Sequence, residues 1–165
     1  MTISTRALGA DFPAPIDDRY FEDYKEGSVY EYGHVSVTEA EIVEFAHRFD
    51  PQPIHTDPDF AATGPFQGII ASGWHTGSLM MRLFADHFLS RVASLASPGL
   101  DELRWPAPVR PGDALHLRVT VLEARPSRSK PDRGIVRTRA ELLNQDDQVV
   151  LTTLPTNLLK RRAEG

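Results

Sequence analysis

At 165 residues, with 41% hydrophobic and 25% charged residues, the chain has the size and composition of one globular domain with a single core. Its formal charge of −5 argues against a nucleic-acid surface, because such surfaces concentrate Lys and Arg against phosphates. The absence of cysteine excludes disulfides, thiolate metal ligands and a cysteine nucleophile. Neither a signal peptide nor an apolar run of the roughly 20 residues that span a membrane is found, so a cytoplasmic location is expected.

The first third of the chain predicts one strand and one well-defined helix. Residues 1–19 contain two prolines and are expected to form an irregular arm, followed by a strand over about 28–37. Thr38 and Glu41 have the spacing of a capping box, and apolar residues then recur at helical intervals, which predicts a helix over about 39–49. The helix should end there, because Asp50 precedes a proline and that position disfavours helical dihedrals.

The middle of the chain predicts two further helices. Asp57 can cap a short helix that has Pro58 at its first position. The longest apolar segment follows, "IIASGWHTGSLMMRLFADHFL", and its few polar residues fall on one narrow stripe. We therefore expect a long central helix that is buried on nearly all sides.

The second half changes to a period of two, which is typical of antiparallel strands with one covered face. The segments "ALHLRVTVLEA" and "GIVRTRAELLN" alternate apolar and polar residues, "LDELRW" precedes them, and "VVLTTLPTNLLK" supplies a last strand. The predicted architecture is α+β, with an antiparallel sheet of about five strands against one long helix. Because one small sheet covers one side of a helix, a second subunit is expected on the other side.

The segment "RFDPQPIHTDPDF" carries the first candidate site residues. Asp50 and His55 stand five residues apart, with prolines at 51 and 53 between them. Taken separately, each has an ordinary structural explanation, such as ending a helix or lying in the core. Together with "GIIASGWHT", the segment resembles the MaoC-like dehydratase family, the R-specific enoyl-CoA hydratases of the hot dog fold. The resemblance extends from about Tyr20 to Arg162, and the chain departs from the family signature at Gln52, where the signature has Asn.

The resemblance implies one domain over residues 1–165, with a curved sheet wrapped around the central helix. It also implies that water is added across the double bond of a trans-2-enoyl thioester, or eliminated in the reverse direction. By resemblance, Asp50 and His55 are the catalytic pair and the backbone N–H of Gly73 is the oxyanion donor. Either member of the pair can be the base. The residues expected to contact the substrate are Gln52, Ser72, Trp74 and His75.

The expected ligand is an acyl-CoA or a related thioester, with coenzyme A as part of the substrate and no separate cofactor or metal. A homodimer or higher homo-oligomer is expected, with no nucleic-acid or membrane partner. Two alternatives stay open: a hot dog thioesterase, and a non-catalytic subunit that binds acyl thioesters. "RPSRSKPDR", between two strands, is interpreted as a solvated hairpin loop, with contacts to coenzyme A phosphates as the alternative.

Overall fold

A computed structural model describes residues 1–163, with the backbone alone at residues 4 and 5. Residues 164 and 165 of the expected domain lie outside this range. The strands of the described chain join one six-stranded antiparallel sheet in the order β1-β2-β4-β5-β6-β3. They are β1 (Thr2–Ala7), β2 (Val29–Ser36), β3 (Ser94–Arg104), β4 (Ala114–Pro126), β5 (Arg133–Leu143) and β6 (Val149–Lys160).

The helices lie in the interval between the second and third strands. They are α1 (Glu39–Phe49), α2 (Pro53–Thr56), α3 (Pro58–Thr63) and α4 (Gly73–Leu83). The capping box predicted for α1 is present: the Thr38 hydroxyl accepts from the Glu41 N–H, and the Glu41 carboxylate accepts from the Thr38 N–H. The α4 helix packs against β2, β4, β5 and β6, which confirms the α+β hot dog arrangement.

The N-terminal arm differs from the sequence prediction. Thr2–Ala7 pairs with β2 as β1 and brings the strand count to six, where the sequence predicts about five. The segment between Ala7 and β2 contains only short 3₁₀ turns, at Ile16–Asp18 and Phe21–Asp23. The sequence "TISTRA" has no regular alternation of apolar residues, so its strand conformation depends on the hydrogen bonds that the edge of β2 offers.

The central helix is less buried than its apolar sequence predicts. Leu79, Leu83 and Phe84 are fully or nearly fully buried against the sheet, whereas Trp74 is 62% exposed and Met81 is 44% exposed. The regular helix ends at Leu83 and continues as a π-helical turn over Phe84–Phe88. One side of α4 is therefore uncovered in the single chain. No helix in the described residues has both the length and the apolar character needed to span a membrane.

Candidate active site

Asp50 lies at the C-terminal end of α1. The helix ends at Phe49, and Asp50 has non-helical dihedrals (φ −153°, ψ 70°), as its position before Pro51 predicts. Its carbonyl then accepts a hydrogen bond from the Gln52 N–H at 2.8 Å. This tight turn directs the chain into α2. The Asp50 side chain is 17% exposed, so it is partly withdrawn from solvent.

Two side chains donate hydrogen bonds to the Asp50 carboxylate. The Ser72 hydroxyl donates to Oδ2 at 2.6 Å, and the Gln52 amide donates to Oδ1 at 2.7 Å. These hydrogen bonds lower the pKa of Asp50 below its ordinary value, and the one from Ser72 has the larger effect. Burial acts in the opposite direction, and the nearby His55 ring adds a smaller lowering when it is protonated. Asp50 is therefore a carboxylate at neutral pH.

His55 lies on α2, a single helical turn that the sequence did not predict, with Pro53 at its first position. Its ring is 7% exposed. Nδ1 lies 2.8 Å from the Ile70 carbonyl oxygen, and because a carbonyl only accepts, Nδ1 carries the proton. In the neutral ring Nε2 is then an acceptor, and it lies 3.5 Å from Oδ2 of Asp50.

The N-terminus of α4 meets this pair. Ser72 is fully buried and caps the helix, because its Oγ accepts from the Trp74 N–H at 3.2 Å while donating to Asp50. Gly73 is the first residue of the helix, so its N–H has no partner within the helix. Helix N-termini present such N–H groups together with positive potential. The arrangement supplies a donor for an anionic oxygen next to an acid and an imidazole.

A pocket of about 250 Å³ opens beside His55 and Gly73. It is lined by His55, Gly73 and Thr76 together with Trp105 and the segment 106–109. The remaining lining residues are Phe66, Ile70 and Ala71. The lining is predominantly apolar with a small number of polar groups, which is the usual composition of a small-molecule site.

The sequence matches the family model of the MaoC like domain over residues 23–142. The chain belongs to the MaoC-like domain family. Similar curated proteins include YdeM of Bacillus subtilis, which is 30% identical over 140 residues, 85% of this chain and 98% of the relative. The 3-hydroxybutyryl-CoA dehydratase of Methylorubrum extorquens is 33% identical over 112 residues, 67% of this chain and 69% of the relative.

Solved structures of MaoC-like proteins have the same fold. The MaoC-like dehydratase of Rhodospirillum rubrum superposes with a TM-score of 0.80 at 38% identity, over 88% of this chain and 99% of that one. An R-hydratase from Pseudomonas aeruginosa superposes with a TM-score of 0.67 at 26% identity, over 88% of this chain and 92% of that one. Relatives of this MaoC-like chain are thus named as dehydratases and hydratases, which supports hydro-lyase chemistry at the level of the family.

The structure brings the three predicted catalytic residues of the MaoC-like chain together. Asp50 is next to His55, and His55 and Gly73 both line the pocket. Gln52 and Ser72, which were expected to contact substrate, instead contact Asp50. Gln52 stands where the family signature has Asn, and its side-chain amide donates a hydrogen bond to the Asp50 carboxylate.

Trp74 and His75 each pack against another aromatic ring. Neither is among the described residues that line the pocket, and their substrate contacts stay a prediction. Trp74 contacts Trp105 edge to face, with ring centroids 5.6 Å apart. His75 stacks on Phe45 at 4.4 Å, is 8% exposed, and has its pKa lowered by burial.

Sequence reasoning missed two groups that shape the site. Trp105 forms a wall of the pocket, and the Ile70 carbonyl orients His55. A tryptophan directly before "PAPVRPGD" was a signal that could have been used, because a large aromatic side chain there is followed by a proline-rigid segment. The role of a backbone carbonyl leaves no signal in side-chain patterns.

Other predicted features have structural roles. Asp57 caps α3, since its carboxylate accepts from the Phe60 N–H at 3.0 Å. Of the cations in "RPSRSKPDR", Arg125 at the end of β4 pairs with Glu123, and Arg133 at the start of β5 pairs with Asp132, so both are neutralised locally. Within residues 1–163, no three His, Asp or Glu side chains converge as metal ligands.

Replacing Ser72 with Ala should raise the pKa of Asp50 towards its ordinary value, because the largest cause of its lowering is removed. The measurement is the pH titration of the Asp50 carboxyl carbon by NMR. A lowered folded-state pKa stabilises the protein above the unfolded pKa, and this stability is lost as the pH falls through the folded pKa. The variant should therefore lose less stability than the wild type on acidification.

Thr38→Ala is the matched control, because Thr38 caps the far end of α1 and makes no hydrogen bond to Asp50. Both substitutions remove a helix cap, worth about 1 kcal/mol. Only Ser72→Ala should change the titration of Asp50. An unchanged Asp50 titration in Ser72→Ala would refute the proposed electrostatic role of the hydroxyl.

Gly73→Ala should destabilise the fold by about 1–3 kcal/mol, the usual cost of overpacking. A Cβ at position 73 would lie 2.6 Å from Cε2 of Trp105, which is closer than real Cβ atoms approach. In a Trp105→Ala background the same substitution should cost much less. Chemical denaturation of the four proteins in this double-mutant cycle measures the coupling. Equal costs in the two backgrounds would contradict the close contact.

Proposed function

We propose that the chain hydrates the 2,3 double bond of an enoyl thioester and catalyses the reverse dehydration of a 3-hydroxyacyl thioester. The observation that carries this proposal is the pairing of Asp50 Oδ2 with His55 Nε2, 3.5 Å apart, beside a pocket that Gly73 also lines. The relatives named as dehydratases and hydratases support it. The substrate is an acyl-CoA, with coenzyme A as part of the substrate, or a related thioester, and no separate cofactor is proposed.

The first step is the binding of one water molecule between the acid and the imidazole. With its proton on Nδ1, neutral His55 offers a lone pair at Nε2, and ionised Asp50 offers one at Oδ2. Two acceptors 3.5 Å apart suit a water that donates one hydrogen to each. Both lone pairs of the water oxygen are then free, and one of them can attack the substrate.

The proton of the attacking water passes to His55. The pKa of Asp50 is lowered, which makes its carboxylate the weaker base of the pair, whereas Nε2 has a free lone pair. The water oxygen forms a bond to the β-carbon, the π electrons move towards the carbonyl, and Nε2 takes the proton. The Asp50 carboxylate stabilises the imidazolium, which then returns the proton to the α-carbon on the same face.

During this reaction the thioester oxygen becomes negatively charged, and it needs a hydrogen-bond donor. The N–H of Gly73 lies at the first position of α4, where the helix carries about half a unit of positive charge. Preorganised donors of this kind often contribute the largest part of catalysis. The enolate oxygen accepts this hydrogen bond until the α-carbon is protonated.

Asp50→Asn and His55→Gln should each reduce hydration of crotonyl-CoA by about 100-fold or more, since positioned proton transfer contributes roughly 10²–10⁴-fold. Loss of the absorbance of the conjugated double bond measures the rate. Asp57→Asn is the matched control: it makes the same chemical change seven residues away at a helix cap that Asn also satisfies, and it should retain wild-type activity.

The same assay distinguishes the two alternatives. Release of free thiol without loss of the double bond would establish a thioesterase in place of a hydratase. Binding of acyl-CoA without turnover of either kind would establish a binding subunit. Wild-type activity in Asp50→Asn would refute the proposed roles of the pair.

We also propose that two copies of the chain associate through α4 and β3. The uncovered side of α4 presents Trp74 and Met81, and β3, at the edge of the sheet, is exposed along nearly all of its length and carries Leu100, which is 50% exposed. An uncovered edge strand next to exposed apolar side chains supports a symmetric contact with a second copy.

Sedimentation should therefore give about twice the 18.4 kDa of one chain. Leu100→Arg should shift the protein towards the monomer, because it places a charge in the proposed contact. Leu122→Arg is the control, as Leu122 is 40% exposed but lies on the interior strand β4. A wild-type monomer at micromolar concentration would refute the dimer.

A further inference from the structure

Trp105 lies in unusually close contact with the first residue of the central helix. A Cβ placed on Gly73 would meet three atoms of the indole at 2.6, 2.8 and 2.9 Å. The six-membered part of the indole is thus packed directly against the Gly73 α-carbon, where only glycine leaves room for it. The edge-to-face contact with Trp74, at 5.6 Å and an interplanar angle of 74°, supports the indole on another side.

The wall that Trp105 begins is held to the rest of the site. Pro106 and Pro108 restrict its backbone, and the Val109 carbonyl accepts a hydrogen bond from the Ala71 N–H at 2.9 Å. Ala71 belongs to the short segment that leads into α4. The segment 105–109 is therefore held to the start of α4, and the indole fills the space beside Gly73.

The space that this wall leaves is small. At about 30 Å³ for each non-hydrogen atom, the volume share of a liquid water molecule, a pocket of 250 Å³ holds about eight such atoms. The sulfur, the carbonyl group and a chain of about four carbons fill most of it. A chain of eight carbons exceeds this volume, so its distal carbons extend out of the pocket and lack the apolar contacts that the pocket gives a short chain.

We propose that Trp105 is the specificity-determining residue of this site and makes it prefer short acyl chains of about four carbons. The inference rests on the proposed function for its substrate, an acyl thioester whose carbonyl lies at Gly73. The indole limits the acyl group by its volume and takes no part in proton transfer. Removing it opens the space beside Gly73, while the contacts of Asp50 with Ser72 and Gln52 remain.

The test uses three proteins: the wild type, Trp105→Phe and Trp105→Ala. Binding is compared between butyryl-CoA and octanoyl-CoA, and hydration is compared between crotonyl-CoA and 2-octenoyl-CoA. Calorimetry measures binding and double-bond absorbance measures kcat/KM. A single methylene in an apolar pocket changes selectivity by about 10-fold or more. Trp105→Ala should therefore raise the preference for the eight-carbon over the four-carbon ligand by at least about tenfold, with Trp105→Phe intermediate.

The ratio of the eight-carbon to the four-carbon value, in affinity or in kcat/KM, separates a change of selectivity from general damage. A misfolded site lowers the values for both chain lengths together. Phe60→Ala is the control: it removes an aromatic side chain that is 51% exposed and does not line the pocket, and it should keep the wild-type ratio. If Trp105→Ala does not fold, the ratio in Trp105→Phe decides the question.

The outcomes distinguish this inference from the proposed function. A binding ratio that shifts in Trp105→Ala, without hydration by the wild type, would support the inference and overturn the hydratase. Hydration by the wild type with an unchanged ratio in both Trp105 variants would overturn the inference alone. Failure of the wild type to bind either acyl-CoA would overturn both.

Discussion

The hydroxyl group of Ser72 joins the acid of the site to the helix that carries the proposed oxyanion donor. It donates to the Asp50 carboxylate at 2.6 Å and accepts from the Trp74 N–H at 3.2 Å. A hydroxyl can do both because it has one hydrogen and two lone pairs. The end of α1 and the start of α4 are therefore held at a fixed separation. The other site distances depend on this link, since His55 and Gly73 are positioned from either side of it.

The hydrogen bonds of the site give the acid and the imidazole different properties. Asp50 accepts two hydrogen bonds, which lower its pKa and keep it charged. His55 uses Nδ1 on the Ile70 carbonyl, which leaves Nε2 free to accept a proton. Enzymes commonly give neighbouring titratable groups different environments, so that one acts as an acid and the other as a base.

Local sequence patterns predicted the elements whose conformation depends on neighbouring residues. The capping box at Thr38, the end of α1 at Asp50 and the cap at Asp57 all follow from dihedral preferences and short-range hydrogen bonds. Such patterns did not predict the strand β1, because its residues do not alternate between apolar and polar and pair only with the edge of β2. Such patterns did not predict the full length of β3 either, because Pro98 and Gly99 are typical of a turn. Both residues are tolerated here because β3 is an edge strand.

The sequence by itself predicted the pairing of Asp50 with His55 through its resemblance to the family, and two prolines and a helix end restrict the short chain between them. Only the tertiary structure decided what surrounds the pair. Ser72 is 22 residues from Asp50, the Ile70 carbonyl is 15 residues from His55, and Trp105 comes from the end of β3. Such contacts depend on how the sheet packs against α4, and packing is set by the whole core, which local preferences do not encode.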